Sequence, residues 1–146
     1  MAHIIEINDA KNGVLVPALP KLIYEIGSKG NGLYWSIFYL YATGDIGENK
    51  SIVDFEEEII NSSNGYCLSW EELKDLSGRF DQIFDVLIVG APCKKAIKKH
   101  DKEEDLLSNC SIVIDLFDGA CWKVYSEDES VIGQLENAFF DTKLSY

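Results

Sequence analysis

The chain has 146 residues and a formal net charge of −12, from 25 Asp and Glu against 13 Lys and Arg. Hydrophobic residues make up 47% and aromatics 12%, which suits a globular protein; a disordered chain of this charge would hold far fewer apolar residues. The acidity argues against nucleic acid and an anionic membrane surface as partners, because tracking phosphate needs Lys and Arg.

In chain order, Ala2–Ile7 alternates apolar and polar residues and is predicted to be a first strand, with a turn over Asn8–Gly13. After Pro20, Leu22, Ile23 and Ile26 fit one face of a helix that Gly27 and Gly30 would stop. Gly32–Thr43 is aromatic and β-branched. Leu33, Trp35, Ile37, Tyr39 and Tyr41 alternate there with Tyr34, Ser36, Phe38 and Leu40, the pattern of a central strand. Gly44–Gly47 is a turn. Ser51–Asn61 is predicted to be a helix with Ser51 as N-cap, Asp54 in the place of the capping-box acid, and a buried stripe of Ile52, Phe55 and Ile59 that Ile60 could extend. Ser62–Gly65 is a loop, and Tyr66–Leu68 a strand fragment. Ser69-Trp70-Glu71-Glu72 is a capping box opening a helix that runs through Leu73 and Leu76 to Gly78 or Phe80. Gln82–Val89 is a second strong strand, ended by Gly90-Ala91-Pro92. Cys93–Ser108 is the most polar stretch and helical in part. Ser111–Phe117 and Cys121–Tyr125 flank Asp118-Gly119 as a hairpin, and Asp128–Phe140 is a final amphipathic helix carrying Val131, Ile132, Leu135 and Phe139.

This order points to a single α+β domain over residues 1–146, with α/β as the alternative. A mixed, partly antiparallel sheet of four to six strands would pack with about four helices, and a C-terminal hairpin would lead into the last helix. A domain this long buries about 68–70% of its unfolded surface, so it needs neither disulfide nor metal to fold. Cys67, Cys93, Cys110 and Cys121 form no close pair and are expected to be reduced and mostly buried. Met1–Asn8 lacks a basic, apolar leader, and no apolar run reaches the ~20 residues of a spanning helix. The expected location is the cytoplasm.

Few residues point to catalysis. His3 and His100 are the only histidines, and no G-x-S-x-G elbow accompanies them. Gly44-Asp-Ile-Gly47 lacks the Lys-Ser/Thr ending of a phosphate loop. The glycines from Gly27 to Gly32 precede a strand, where a dinucleotide loop follows one. Adjacent carboxylates such as Glu56-Glu57-Glu58 and Glu71-Glu72 point in different directions on a helix, unlike a pair facing across a cleft. Asp101–Asp105 lacks the alternating oxygens of a calcium loop. No cofactor, metal or catalytic residue is expected. Lys94, Lys95, Lys98, Lys99 and Lys102 form a basic run, read as a charge-mixed surface or as a small patch completing an interface.

The acid is concentrated. Between Asp45 and Asp85 stand eleven acids and three bases, a local net of −8. Trp35, Trp70 and Trp122 sit in predicted elements and are read first as core. Charge on a helix exterior is ordinarily solvated; the alternative is a partner surface made by Asp54, Glu57, Glu58, Glu71, Glu72 and Asp75, with Tyr66, or Trp70 if exposed, as its desolvated anchor.

Tyr34-Trp-Ser-Ile-Phe-Tyr-Leu-Tyr-Ala-Thr-Gly-Asp-Ile-Gly47, Ser51-Ile-Val-Asp-Phe-Glu-Glu-Glu-Ile59, Leu68-Ser-Trp-Glu-Glu-Leu73 and Phe80-Asp-Gln-Ile83 together resemble small bacterial immunity proteins, the partners of secreted toxins. The resemblance spans residues 33 to 90 and rests on size, acidity and the lack of catalytic motifs, so it carries over no functional residues. It implies a non-enzymatic cytoplasmic protein that neutralises a cognate basic toxin domain, often a nuclease, by tight binding. An acidic inhibitor would fill a nuclease's basic cleft as a phosphate mimic, and charge complementarity raises association rates towards about 10⁸–10⁹ M⁻¹s⁻¹. A non-catalytic acidic adaptor or regulatory protein is the alternative, and an enzyme on an unfamiliar scaffold the third reading.

Overall fold

In the computed structural model, which describes residues 3–11, 14–15, 17–47 and 49–145, the alternating N-terminal segment is strand β1 (Ile4–Ile7), with Ile5 and Ile7 buried. The expected strand start at Ala2 and turn end at Gly13 lie outside the described residues. Two short strands, β2 (Ala10–Lys11) and β3 (Val14–Leu15), pair as a small ribbon. Helix α1 (Leu19–Ile26) has Pro20 in its first turn, where the missing N–H would have had no intrahelical partner. Gly27 ends it at φ 62°, a left-handed conformation open to glycine, and a 3₁₀ turn over Gly27–Gly30 follows.

Strand β4 (Tyr34–Gly44) leads to α2 (Ile52–Asn61), where Ser51 Oγ accepts the Asp54 N–H at 3.1 Å. Strand β5 (Tyr66–Leu68) precedes α3 (Trp70–Ser77), which opens on a complete capping box. Glu72 N–H donates to Ser69 Oγ at 3.1 Å, and Ser69 N–H donates to the Glu72 carboxylate at 2.9 Å. Strand β6 (Phe80–Ala91) is longer at both ends than the sequence pattern indicates. A 3₁₀ turn (Lys94–Ala96) and α4 (Glu103–Asn109) follow. Strands β7 (Ile112–Leu116) and β8 (Trp122–Ser126) form the expected hairpin, with Asp118 at φ 53° and Gly119 at φ 62°. Both central residues are left-handed, as a type I′ turn requires. Helix α5 (Glu129–Ala138) and strand β9 (Thr142–Ser145) complete the chain.

The α+β class is as the sequence indicates. The main sheet differs in detail. Among the described residues it holds seven strands rather than four to six, in the order β5-β4-β6-β7-β8-β1-β9, and every pairing is antiparallel rather than mixed. The described residues form five α-helices rather than about four. The strand absent from the sequence reading is β9, which pairs with β1 over Ile4–Ile7. Buried Asp9 holds its approach, accepting the N–H groups of Phe140 at 3.0 Å and Asp141 at 2.7 Å.

Helices α1, α2, α3 and α5 contribute to one continuous apolar core on one side of the sheet, with Trp35, Ile37, Leu40, Ile88, Ile114 and Trp122 rising from the strands. The other side, here the outer face, carries a smaller cluster. Ile97, Leu106 and Cys110 pack there over Phe38, Val89 and Val113.

Alternation along β4 does not hold through its whole length. The register with β6 shifts between Ile37 and Tyr39, and again between Tyr41 and Ala42. The first shift leaves Phe38 as the extra residue of a β-bulge. Trp35 and Ile37 therefore face the main core, whereas Tyr39 and Tyr41 face outward, the reverse of strict period-two spacing.

Candidate functional site

The proposed acidic surface is built by α2, β5 and α3. The apolar stripe of α2, Phe55 and Ile59, goes into the core, so Asp54, Glu57 and Glu58 stand exposed on the opposite side. Glu56 turns towards the sheet, where its carboxylate accepts the Ala42 N–H at 2.9 Å and satisfies an edge donor of β4. On α3, Leu73 is buried while Glu71, Glu72 and Asp75 are exposed. The three bases of this stretch pair within it. Lys50 meets Glu58, Lys74 meets Glu71 at 3.1 Å, and Arg79 meets Asp75 at 3.8 Å. Their charge is therefore largely spent locally, and the segment keeps its surplus of acid.

Trp70 takes its core position, which corrects the anchor role. It is 3% exposed, stacks on Trp35 with ring centroids 4.7 Å apart, and cannot serve as a solvent-facing anchor. The physical cause is its position three residues before Leu73, on the same helix face. Gly30 leaves room for the ring, and Trp35 Nε1 donates to the Gly30 carbonyl at 2.9 Å. Tyr66 is half-buried, edge-on to Phe55 at 4.8 Å, and lines a groove of about 160 Å³ with Glu72, Asp75 and Arg79. The structure thus brings Tyr66, Glu72 and Asp75 together. Asp54, Glu57 and Glu58 lie on the neighbouring helix, and Trp70 is withdrawn.

The basic run is not one helix face. After the 3₁₀ turn the chain is irregular to Lys102, so Lys94 and Lys98, and Lys95 and Lys99, are not stacked on a helix despite their spacing of four. Ile97 is buried, and Lys99 Nζ donates to the carbonyls of Ile59 at 2.7 Å and Ile60 at 3.2 Å. A lysine at the carbonyl end of α2 answers the negative end of the helix dipole. Burial lowers its pKa.

A second feature was not singled out from the sequence. Between α4 and the outer face lies a cleft of about 320 Å³, with apolar walls from Leu87, Leu106, Val113 and Tyr125 and polar groups from His100, Asp115 and Lys123. His100 Nε2 is buried without a hydrogen-bond partner among the described residues. Burial pushes the Asp115 carboxyl above the usual carboxylate range, against the pull of Lys123. Lys123 also meets Glu103 at 3.4 Å. Counting back from a two-residue Asp118-Gly119 turn would place Asp115 opposite Trp122; the connection is one residue longer, and Asp115 lies opposite Lys123.

Of the four thiols, Cys67 and Cys93 are exposed and Cys121 half-buried; Cys110 is buried, which raises its pKa to about 11. Cys67 lies on an edge strand with its side chain outward, so the expectation of mostly buried thiols does not hold. Among the described residues, no group of three His, Cys, Asp or Glu side chains is placed to hold a metal ion, and no helix is long and apolar enough to cross a membrane. Comparison with protein-family models, curated proteins and solved structures found no match.

Proposed function

We propose that this chain is a non-catalytic binding protein that engages a basic protein through its acidic surface, and that it acts as an immunity protein neutralising a cognate toxin domain. One observation carries the reading. Six carboxylates on α2 and α3 face solvent, while the three bases of the same stretch are engaged by acids within it. A basic nuclease cleft is the complementary surface. Long-range attraction would speed the encounter, and that contribution would fall as salt screens it.

The test is recovery of the partner from the host at low and high salt, followed by co-expression with it. A single basic domain is expected at equal stoichiometry, with its toxicity relieved by this chain. Combined Glu57→Lys, Glu58→Lys and Glu71→Lys substitutions should weaken the complex at least tenfold. Glu72 is left intact because it completes the capping box. Recovery of no protein, or full-strength binding by the triple variant, would overturn the reading.

The cleft supports a second reading, a small-ligand site, through its unpartnered His100 nitrogen and half-buried Asp115. A thermal-shift screen with small polar metabolites would separate the two. Stabilisation that disappears in both His100→Ala and Asp115→Asn favours the cleft.

A further inference from the structure

Burial of Trp70 leaves the acidic surface with Tyr66, half-buried against Phe55, as its remaining aromatic candidate, and the sheet exposes larger aromatic area elsewhere. The α4 segment covers the outer face around Val89 and Val113. Beside that cover, Tyr39 is 42% exposed, Tyr41 53% and Phe117 77%. Both tyrosines lie on β4, and Phe117 follows β7, with β6 between the two strands. Tyr39 lies opposite Leu87 and Tyr41 opposite Asp85, while Leu87 lies opposite Asp115 on its other side. The Tyr41 ring meets Phe84 at 5.0 Å.

Two irregularities create this arrangement. The bulge at Phe38 turns Tyr39 and Tyr41 away from the core, and the register shift after Tyr41 leaves Phe84 unpaired beside it. Bulges re-aim side chains at the cost of regular pairing. Here the result is three large aromatic side chains in water that regular alternation would not have placed there together.

The charges around them are mixed, with the acids Asp85, Asp115 and Glu103 beside the bases Lys102 and Lys123. Asp85 lies within the patch, and its carboxylate accepts the Asp118 N–H at 2.7 Å. Asp115 borders it, and the nearby Lys123 is engaged by Glu103. Helix α2 packs along the same strand, with Glu56 reaching the backbone of Ala42. The helix packs on the core side of that strand, so its exposed acids act on the tyrosine face only through longer-range attraction.

From this geometry we infer that the outer face around Tyr39, Tyr41 and Phe117 is the docking surface for an arginine-bearing basic protein, an inference that rests on the function proposed above. The tyrosine rings stack against guanidinium groups, which bind aromatic faces and carboxylates together. Asp85 and Asp115 supply the counter-charge, and the acids of α2 and α3 steer the approach. Tyrosine and arginine are the residues that dominate interface energetics. A second copy of this chain is disfavoured as occupant, because it brings another −12 of like charge.

The probe is hexa-arginine amide, titrated at low salt into the ¹⁵N-labelled full chain, with hexa-lysine amide beside it. Amide shifts are expected at Tyr39, Tyr41, Phe84, Leu87 and Phe117, with weaker binding of the lysine peptide. The double variant Tyr39→Thr/Tyr41→Thr, which keeps β-branched residues in the strand, should lose about tenfold in affinity, the scale of one aromatic anchor. Tyr24→Ser, on the exposed side of α1, should bind as the parent does. Shifts confined to α2 and α3, or undiminished binding by the double tyrosine variant, would overturn this surface and leave the acidic-partner reading standing. No shift with either peptide would overturn both.

Discussion

Asp128 and Asp115 are carboxylates whose environments push them in opposite directions. Asp128 caps α5, accepting the Ser130 N–H at 2.9 Å and the Ser130 hydroxyl at 2.6 Å, while Lys29 sits 3.0 Å from its other oxygen. The Ser130 hydroxyl first, then Lys29, hold its pKa down at about 2. The unfolded value is about 3.9, so its charge-dependent stabilisation is complete above that pH and is lost as pH falls towards about 2. Asp128→Ala should cost about 1 kcal/mol at pH 7, the usual loss for an N-cap. Urea midpoints measured from pH 7 to pH 3 should show that cost shrinking; a constant cost would assign the effect to packing instead of charge. Asp115 has the reverse sign. Its folded pKa is raised, chiefly by burial. The folded chain therefore holds that proton more tightly than the unfolded chain, and stability falls as pH rises from the ordinary carboxylate range through the raised value. Asp115→Asn should raise the melting temperature at pH 8 and make little difference near pH 4. A lower melting temperature at pH 8 would show that attraction to Lys123 outweighs burial.

The paired tryptophans make α3 depend on a glycine. A Cβ built on Gly30 would lie 2.2 Å from the Trp70 ring, and that ring is locked by its stack on Trp35. Gly30→Ala should cost about 1–3 kcal/mol, the range for overpacking a filled core. The change should also appear in tryptophan fluorescence, and an unchanged spectrum and melting temperature would mean that the Gly27–Gly30 turn shifts freely. Elements of this kind separate what is legible in a sequence from what is not. The Ser51 cap, the Ser69–Glu72 box and the Asp118-Gly119 turn depend on residues within three or four positions, and each forms as its pattern indicates. Trp70 was legible too, since its place at the start of α3, three residues before Leu73, marks it as core, and it is buried. The outward turn of Tyr39 was not legible. It depends on a bulge fixed by pairing with β6, more than forty residues on in the chain. Strand β9 has no alternating apolar signal and forms because β1 offers it an edge and Asp9 holds its entry.

At the scale of the whole molecule the acid carries a cost. Six ion pairs join the described residues: Lys21–Glu25, Lys29–Asp128, Lys50–Glu58, Lys74–Glu71, Arg79–Asp75 and Lys123–Glu103. Such exposed pairs are worth about 0–1 kcal/mol each. They leave the net charge of −12 in place, and a one-sided charge of that size repels itself in the compact state. Salt weakens both effects, since the screening length is about 10 Å at 0.1 M. The pairs are short-ranged and few, whereas the surplus acts over the whole surface, so relief of repulsion should dominate. Raising sodium chloride from about 20 mM to about 500 mM should therefore increase the melting temperature. The variant with Glu57, Glu58 and Glu71 all reversed to Lys gains two units of charge at each site, moving from −12 to −6, and its gain from salt should be smaller. A parent melting temperature that is flat or falls with salt would mean that the ion pairs already offset the repulsion. A basic partner would neutralise the same surplus that salt screens. The complex should accordingly melt above the free chain by a margin that narrows as salt is added, and calorimetry on the free chain and the complex at the two salt concentrations measures that margin directly.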